Sequence, residues 1–120
     1  MSRKIIDLTP EMQVLYNKFQ DRMAQEGVDF IVTATYRPQA EQNALYNQGR
    51  TEPGNIVTWT RNSRHTERIA FDIAILKNGK ITWNPADYFI VGKIAEEVGL
   101  EWGGSWLSHR DMPHLELRRK

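Results

Sequence analysis

The sequence predicts an α+β fold: a small antiparallel sheet flanked by about three helices, in a single domain over residues 1–120. One observation is helical. Met12, Leu15, Tyr16, Phe19 and Met23 recur at the spacing of a helix face. Another is strict alternation over residues 69–76, with Ile69, Phe71, Ile73 and Ile75 on one face and Ala70, Asp72 and Ala74 on the other. The last is the turn that follows. Lys77-Asn78-Gly79-Lys80 is a hairpin signal, and Ile81, Thr82 and Trp83 return as the partner strand.

The remaining elements follow in order. Thr9 is placed to cap the first helix, Pro10 suits its first turn, and Gly27 ends its pattern. Residues 28–35 are rich in β-branched side chains and read as a strand. Pro38 forces Arg37 into an extended conformation and breaks it. A second helix over residues 39–48 is expected to turn Ala40, Ala44 and Leu45 inward and to stop at Gly49. Residues 50–62 form a long irregular segment containing Pro53, Gly54 and Trp59, a length that in compact domains is often functional. A third helix over residues 85–98 carries Phe89, Ile90, Ile94 and Val98 as its apolar side, with Gly99 after it. Residues 102–106 read as a loop. Residues 114–117 read as a short last strand, with His114 and Glu116 pointing one way and Leu115 and Leu117 the other.

Composition narrows the function classes. A net charge of +1 gives no general electrostatic reason to expect nucleic acid. The one basic run, Arg118-Arg119-Lys120, reads as a solvated tail or a weak attraction to an anionic polymer. The chain has no cysteine, so disulfides and thiolate metal ligands are excluded. Asp7 and Pro10 interrupt any apolar run near the start, which does not read as a secretory signal, and no stretch is long enough to span a bilayer. A cytoplasmic location without stable membrane association is expected, and nothing requires more than a monomer.

Chemistry concentrates in few residues. His65, Asp72 and His114 offer two imidazoles and a carboxylate, a set that suits Zn²⁺ and leaves a coordination position for water. Asp72 sits mid-strand between Ala70 and Ala74, small neighbours that leave room for something to approach. Asp111, three residues before His114, is placed to act as general base and return the proton to a leaving amine. Arg37, at a strand-to-helix junction, is the candidate partner for an oxyanion. Each residue also has a plainer reading. Asp72 would lie on a polar strand face, His65 in a solvated loop, Asp111 in an ordinary turn and Arg37 in a surface ion pair.

Taken together, the residues resemble a known family. Ser63, His65, Ala70 and Asp72, followed by Asp111, Pro113, His114 and Glu116, resemble the M15 zinc peptidases. That group includes D-alanyl-D-alanine dipeptidases and carboxypeptidases, and phage and bacterial L-alanyl-D-glutamate endopeptidases. Thr35-Tyr36-Arg37-Pro38, with Gln42, Leu45-Tyr46 and Gly49-Arg50, resembles the family's arginine motif and the helix after it. Val57-Thr58 and Trp102-Gly103-Gly104-Ser105-Trp106 fit as well, so the resemblance covers residues 28–117.

The resemblance implies Zn²⁺ on His65, Asp72 and His114, with Asp111 as base. It gives Arg37 to the oxyanion or a substrate carbonyl, and Ser63 to the substrate site. The dipeptidase branch has Glu where this chain has Asp111, which favours the endopeptidase branch. The implied function is an endolysin-like peptidase of the peptidoglycan stem peptide. It would hydrolyse the L-Ala–D-Glu bond by a metal-activated water and reach the wall through a breached membrane. A D-alanyl-D-alanine carboxypeptidase and a catalytically silent module that binds wall peptides are the alternatives. His109 and Glu116 are expected near the site, as support or as substrate contacts. Arg68 stands where the family pattern has glycine, and is expected to narrow the cleft or bring a charge to it.

Overall fold

The computed structural model describes residues 1–118, so Arg119 and Lys120 of the basic run lie outside the described residues. Helix α1, Pro10–Gln25, starts where its cap predicts: Thr9 Oγ1 accepts from Met12 N at 3.2 Å, and Pro10 fills the first turn. It buries Met12, Tyr16, Phe19 and Met23. Gly27, at φ +69°, turns the chain into strand β1, Asp29–Ala34.

Strand β2, Ala70–Lys77, is the centre of the sheet. Strand β1 pairs along one edge, while β3, Lys80–Thr82, and β5, His114–Leu117, divide the other. Strand β4, Leu100–Trp102, pairs outside β5, and all these pairings are antiparallel. Asn78 and Gly79 both take positive φ, 54° and 77°, as a two-residue hairpin turn requires. Phe71, Ile73 and Ile75 enter one core with Phe19 and Met23 of α1, Leu115 of β5, and Val91 and Ile94 of helix α3, Phe89–Val98. Phe71 meets Tyr16 and Phe19 edge-on, with ring centroids 5.1 and 5.5 Å away. The opposite face of β2 carries Asp72. The register sets it across from Ala34 on one side and His114 on the other.

Helix α2, Gln39–Asn47, departs from the expected face. Ala40 and Ala44 are exposed and Leu45 is only half-buried. The one buried residue of this helix is Gln42. The helix packs over polar groups of the irregular segment rather than over the apolar core, so its inward face is polar. The third helical region also differs. Residues Pro85–Tyr88 form a 3₁₀ turn before α3, and the buried residues are Tyr88, Val91, Ile94 and Ala95. The tighter turn shifts the phase and leaves Phe89 exposed at 60%. Strand β4 lies where no element was expected; it has three residues between Gly99 and Gly103, too few to carry a period. Among the described residues, no helix is long and apolar enough to cross a membrane.

Candidate metal centre and cleft

The sheet brings His65, Asp72 and His114 together. Asp72 and His114 meet because β2 and β5 pair directly at those residues. His65 arrives from the turn before β2, where His65 N donates to Ser63 Oγ at 3.1 Å. Asp72 Oδ1 lies 2.8 Å from His114 Nδ1 and 3.2 Å from His65 Nε2. One ligand atom from each residue lies within 4.8 Å of the other two. Bonds of about 2.0–2.1 Å to a tetrahedral ion put ligand atoms about 3.3 Å apart, so the donor set and its spacing fit zinc.

The other ring nitrogens are also held. His65 Nδ1 lies 2.9 Å from Thr35 O, a carbonyl that can only accept, so this nitrogen carries the proton. His114 Nε2 lies 2.9 Å from Glu116 Oε1 and donates to that carboxylate. Glu116 is 1% exposed and also faces Arg64, whose Nε is 3.4 Å from Oε2. Both imidazoles are thereby oriented from behind, with His65 Nε2 and His114 Nδ1 turned toward Asp72. Sequence reasoning placed Glu116 nearby, as support or as a substrate contact, and its bond to His114 is the supporting kind. It missed the Thr35 carbonyl, which as a backbone group leaves no signal in the residue type.

Electrostatics follow the same contacts. Burial pushes the Asp72 carboxyl up, but hydrogen bonds from His114 and then His65 outweigh it and hold the group well below the usual carboxylate range. Burial alone lowers the His114 imidazole, yet its bonds to Asp72 and Glu116 raise it to about 10. Asp111 moves the other way. Burial, followed by the Asp72 charge, raises its carboxyl. Asp111 Oδ2 lies 3.9 Å from His114 Nδ1.

The segment before β5 explains how Asp111 is placed. Asp111 N donates to Gly103 O at 3.1 Å, and His114 N to Asp111 O at 3.2 Å. A Cβ at Gly103 would sit 2.4 Å from Asp111 O, so only glycine admits this approach. The Trp102 indole donates to Met112 O at 2.7 Å, and its ring occupies the space that a Cβ at Gly92 or Gly104 would need. The Trp-Gly-Gly segment is thus a clamp on the loop that carries Asp111.

A cleft of about 530 Å³ opens over the cluster. Arg37, Ser63 and Asp111 line it with the three clustered residues, as do Trp59, Trp106 and His109. Trp106 leans over His114, with ring centroids 5.4 Å apart. Trp59 meets His109 at 4.5 Å, so the irregular segment and the loop before β5 touch at the cleft. Neither tryptophan was singled out as a cleft residue from the sequence. Arg37 both faces the cleft and lies in an ion pair, its Nε 3.6 Å from Glu41 Oε2. Arg68 does neither of the things expected of it. Its side chain stacks on Tyr36 at 3.8 Å and donates to Asp7 O at 3.1 Å, and it is not among the lining residues of the cleft. Its backbone takes φ 63°, the left-handed conformation that a glycine adopts without cost.

The family described as D-alanyl-D-alanine carboxypeptidase, within the M15 peptidases, matches residues 57–117, just over half of the chain. The chain belongs to the M15 peptidase family. That M15 match spans Ser63, His65, Asp72, Asp111 and His114. The peptidoglycan L-alanyl-D-glutamate endopeptidase CwlK of Bacillus subtilis is 37% identical over 123 residues, spanning 92% of this chain and 74% of the relative. The L-alanyl-D-glutamate peptidase of Listeria phage A118 is 28% identical over 107 residues, spanning 86% of this chain but only 35% of that protein. Among solved structures, the L-Ala D-Glu endopeptidase ChiX of Serratia marcescens superposes with a TM-score of 0.74 at 25% identity. The match covers 95% of this chain and 83% of that one. The M15 fold is therefore shared along nearly the whole chain.

Proposed function

We propose that this chain is a zinc-dependent peptidoglycan peptidase that hydrolyses the L-Ala–D-Glu bond of the stem peptide. The observation that carries the reading is the His65, Asp72 and His114 cluster at the floor of a cleft, with Asp111 beside it. The names of the relatives supply the bond: CwlK, the phage A118 protein and ChiX are each called L-alanyl-D-glutamate peptidases or endopeptidases. Residues 1–120 act as one peptidase domain and as a monomer. The substrate lies in the cell wall, which the enzyme reaches from the cytoplasm once the membrane is breached.

His65, Asp72 and His114 would hold the zinc ion. Bound there, zinc supplies positive charge that lowers the pKa of water to about 7 and polarises a carbonyl. Asp111 acts as the base. Its carboxylate takes a proton from the attacking water and returns it to the nitrogen that leaves as the C–N bond breaks. Its carboxylate lies 3.9 Å from His114 Nδ1, beside the cluster. Arg37 directs its guanidinium at the negative charge that develops on the carbonyl oxygen. Ser63 lines the substrate side of the cleft next to His65.

A second reading, a D-alanyl-D-alanine carboxypeptidase, is favoured by the description of the matching family. Mass spectrometry of digested peptidoglycan separates the two. The first reading predicts a new amine on D-Glu; free D-alanine with the L-Ala–D-Glu bond intact would establish the second. Asp111→Ala is expected to keep its zinc and lose about 10²–10⁴ in rate, the usual worth of a positioned base. Unchanged hydrolysis would remove Asp111 from the mechanism.

A further inference from the structure

Gln42 is an anomaly on its helix. It is 0% exposed, although most of α2 is exposed or half-buried and the helix buries no other residue. Burying an amide costs free energy unless every polar atom is bonded, and an apolar side chain would fill the space without that cost. Both ends of the amide are bonded. Nε2 donates to Thr60 O at 2.6 Å and lies 3.3 Å from Thr58 Oγ1. Thr60 O can only accept, so the nitrogen must face the irregular segment and the oxygen must face the other way. That oxygen accepts from Arg37 Nη1 at 2.7 Å.

The helix delivers this contact by spacing. Arg37 lies just before α2 and Gln42 within its first turns, so the amide reaches back over the guanidinium. Glu41 approaches the other side of the guanidinium, 3.6 Å from Nε. A guanidinium on a long flexible stem is thereby held from two sides, and its direction into the cleft is set before substrate arrives. Preorganisation of this kind is what makes a charge effective in a transition state.

We propose that Gln42 is a positioning residue for the reaction. Its amide, locked in one orientation by the Thr60 carbonyl, aims the Arg37 guanidinium and ties it to the wall of the cleft. Gln42 does not touch the reacting atoms. It acts through Arg37, so this inference rests on the role proposed above for Arg37.

A double-mutant cycle on the zinc-loaded enzyme tests it, using Gln42→Met, Arg37→Ala and the pair, with kcat and KM measured on a stem-peptide substrate. Gln42→Met is expected to lower kcat/KM by about tenfold or more. The loss should divide between kcat and KM as it does for Arg37→Ala, with zinc content unchanged. In the Arg37→Ala background the same substitution should change kcat/KM by less than about twofold. Two full, multiplicative losses would overturn the inference, as would wild-type kinetics for Gln42→Met beside an impaired Arg37→Ala. An Arg37→Ala enzyme with undiminished activity is a separate result: it overturns the role of Arg37 itself. If Gln42→Met does not fold, Gln42→Asn keeps both polar ends of the amide and shortens its reach to Arg37. Its effect too must vanish in the Arg37→Ala background.

Discussion

Each clustered histidine uses its two ring nitrogens differently, and that division decides which atom is offered to a metal. Glu116 holds His114 Nε2 at 2.9 Å and Thr35 O holds His65 Nδ1 at 2.9 Å. Partners of this kind fix ring orientation, and losing one typically costs 10–100-fold in metal affinity. Glu116→Gln is therefore expected to weaken zinc binding by about tenfold or more, read by competition with a chelator. Unaltered affinity would show that Glu116 does not orient His114. The pH dependence of the metal-free protein follows from the same contacts. The folded-state pKa of His114, about 10, lies above its ordinary 6.5. Its contribution to stability is complete below 6.5 and is lost as pH rises through 10. Asp72 is shifted down, so its contribution is already present above the ordinary carboxylate pKa and stays constant across that window. The urea midpoint of the metal-free protein should fall between about pH 6 and about pH 9, and saturating zinc should abolish the fall. A midpoint rising over that range without metal would contradict the assignment. At this scale the sequence was legible where side-chain chemistry speaks. His65, Asp72, Asp111 and His114 were visible as residue types, and the structure gathers them. The Thr35 carbonyl was not, because any residue has one.

The elements that support the site are short and irregular, and these were the least legible. Helix α1 and strand β2 have enough residues to show a period, and both form where their patterns place them. Helix α3 is apolar on more than one side, and the 3₁₀ turn ahead of it rotated the phase, so of the expected stripe Ile94 is buried while Phe89 is exposed and Val91 and Ala95 take the inner face. Helix α2 turns a polar residue inward because its neighbour is the polar segment 50–62, a fact of tertiary context and not of its own pattern. Arg68 shows a third kind of limit. Arg68 was expected at the cleft, but it keeps the backbone angle that a glycine favours and its side chain stacks on Tyr36 instead. The clamp formed by Trp102, Gly103 and Gly104 belongs at this scale. Gly103→Ala would drive a Cβ against the Asp111 carbonyl. The displaced loop carries the proposed base, so kcat is expected to fall by about tenfold or more. The core lies elsewhere, among α1, α3 and the inner face of β2, so the far-ultraviolet circular dichroism should stay native. Full activity in Gly103→Ala would show that the loop tolerates the shift.

Across the whole molecule, the sheet order β1-β2-β5-β4 creates the site. Residues 42 apart in the chain become cross-strand neighbours, and a slip of one residue would turn Asp72 away from the histidines. The class of fold was legible, since helices mixed with alternating strands leave few other arrangements. The order was not, because no local pattern records that the last strand returns to the first half of β2. The apolar face of β2 holds the core and the opposite face carries Asp72, so folding and the proposed chemistry occupy two sides of one strand. The most direct test of that arrangement is X-ray diffraction from zinc-loaded crystals, recorded on both sides of the zinc absorption edge. The account predicts an anomalous peak in the cleft within bonding distance of His65 Nε2, Asp72 Oδ1 and His114 Nδ1. A zinc ion bound elsewhere, or held by His114 through Nε2 in place of Glu116, would contradict it.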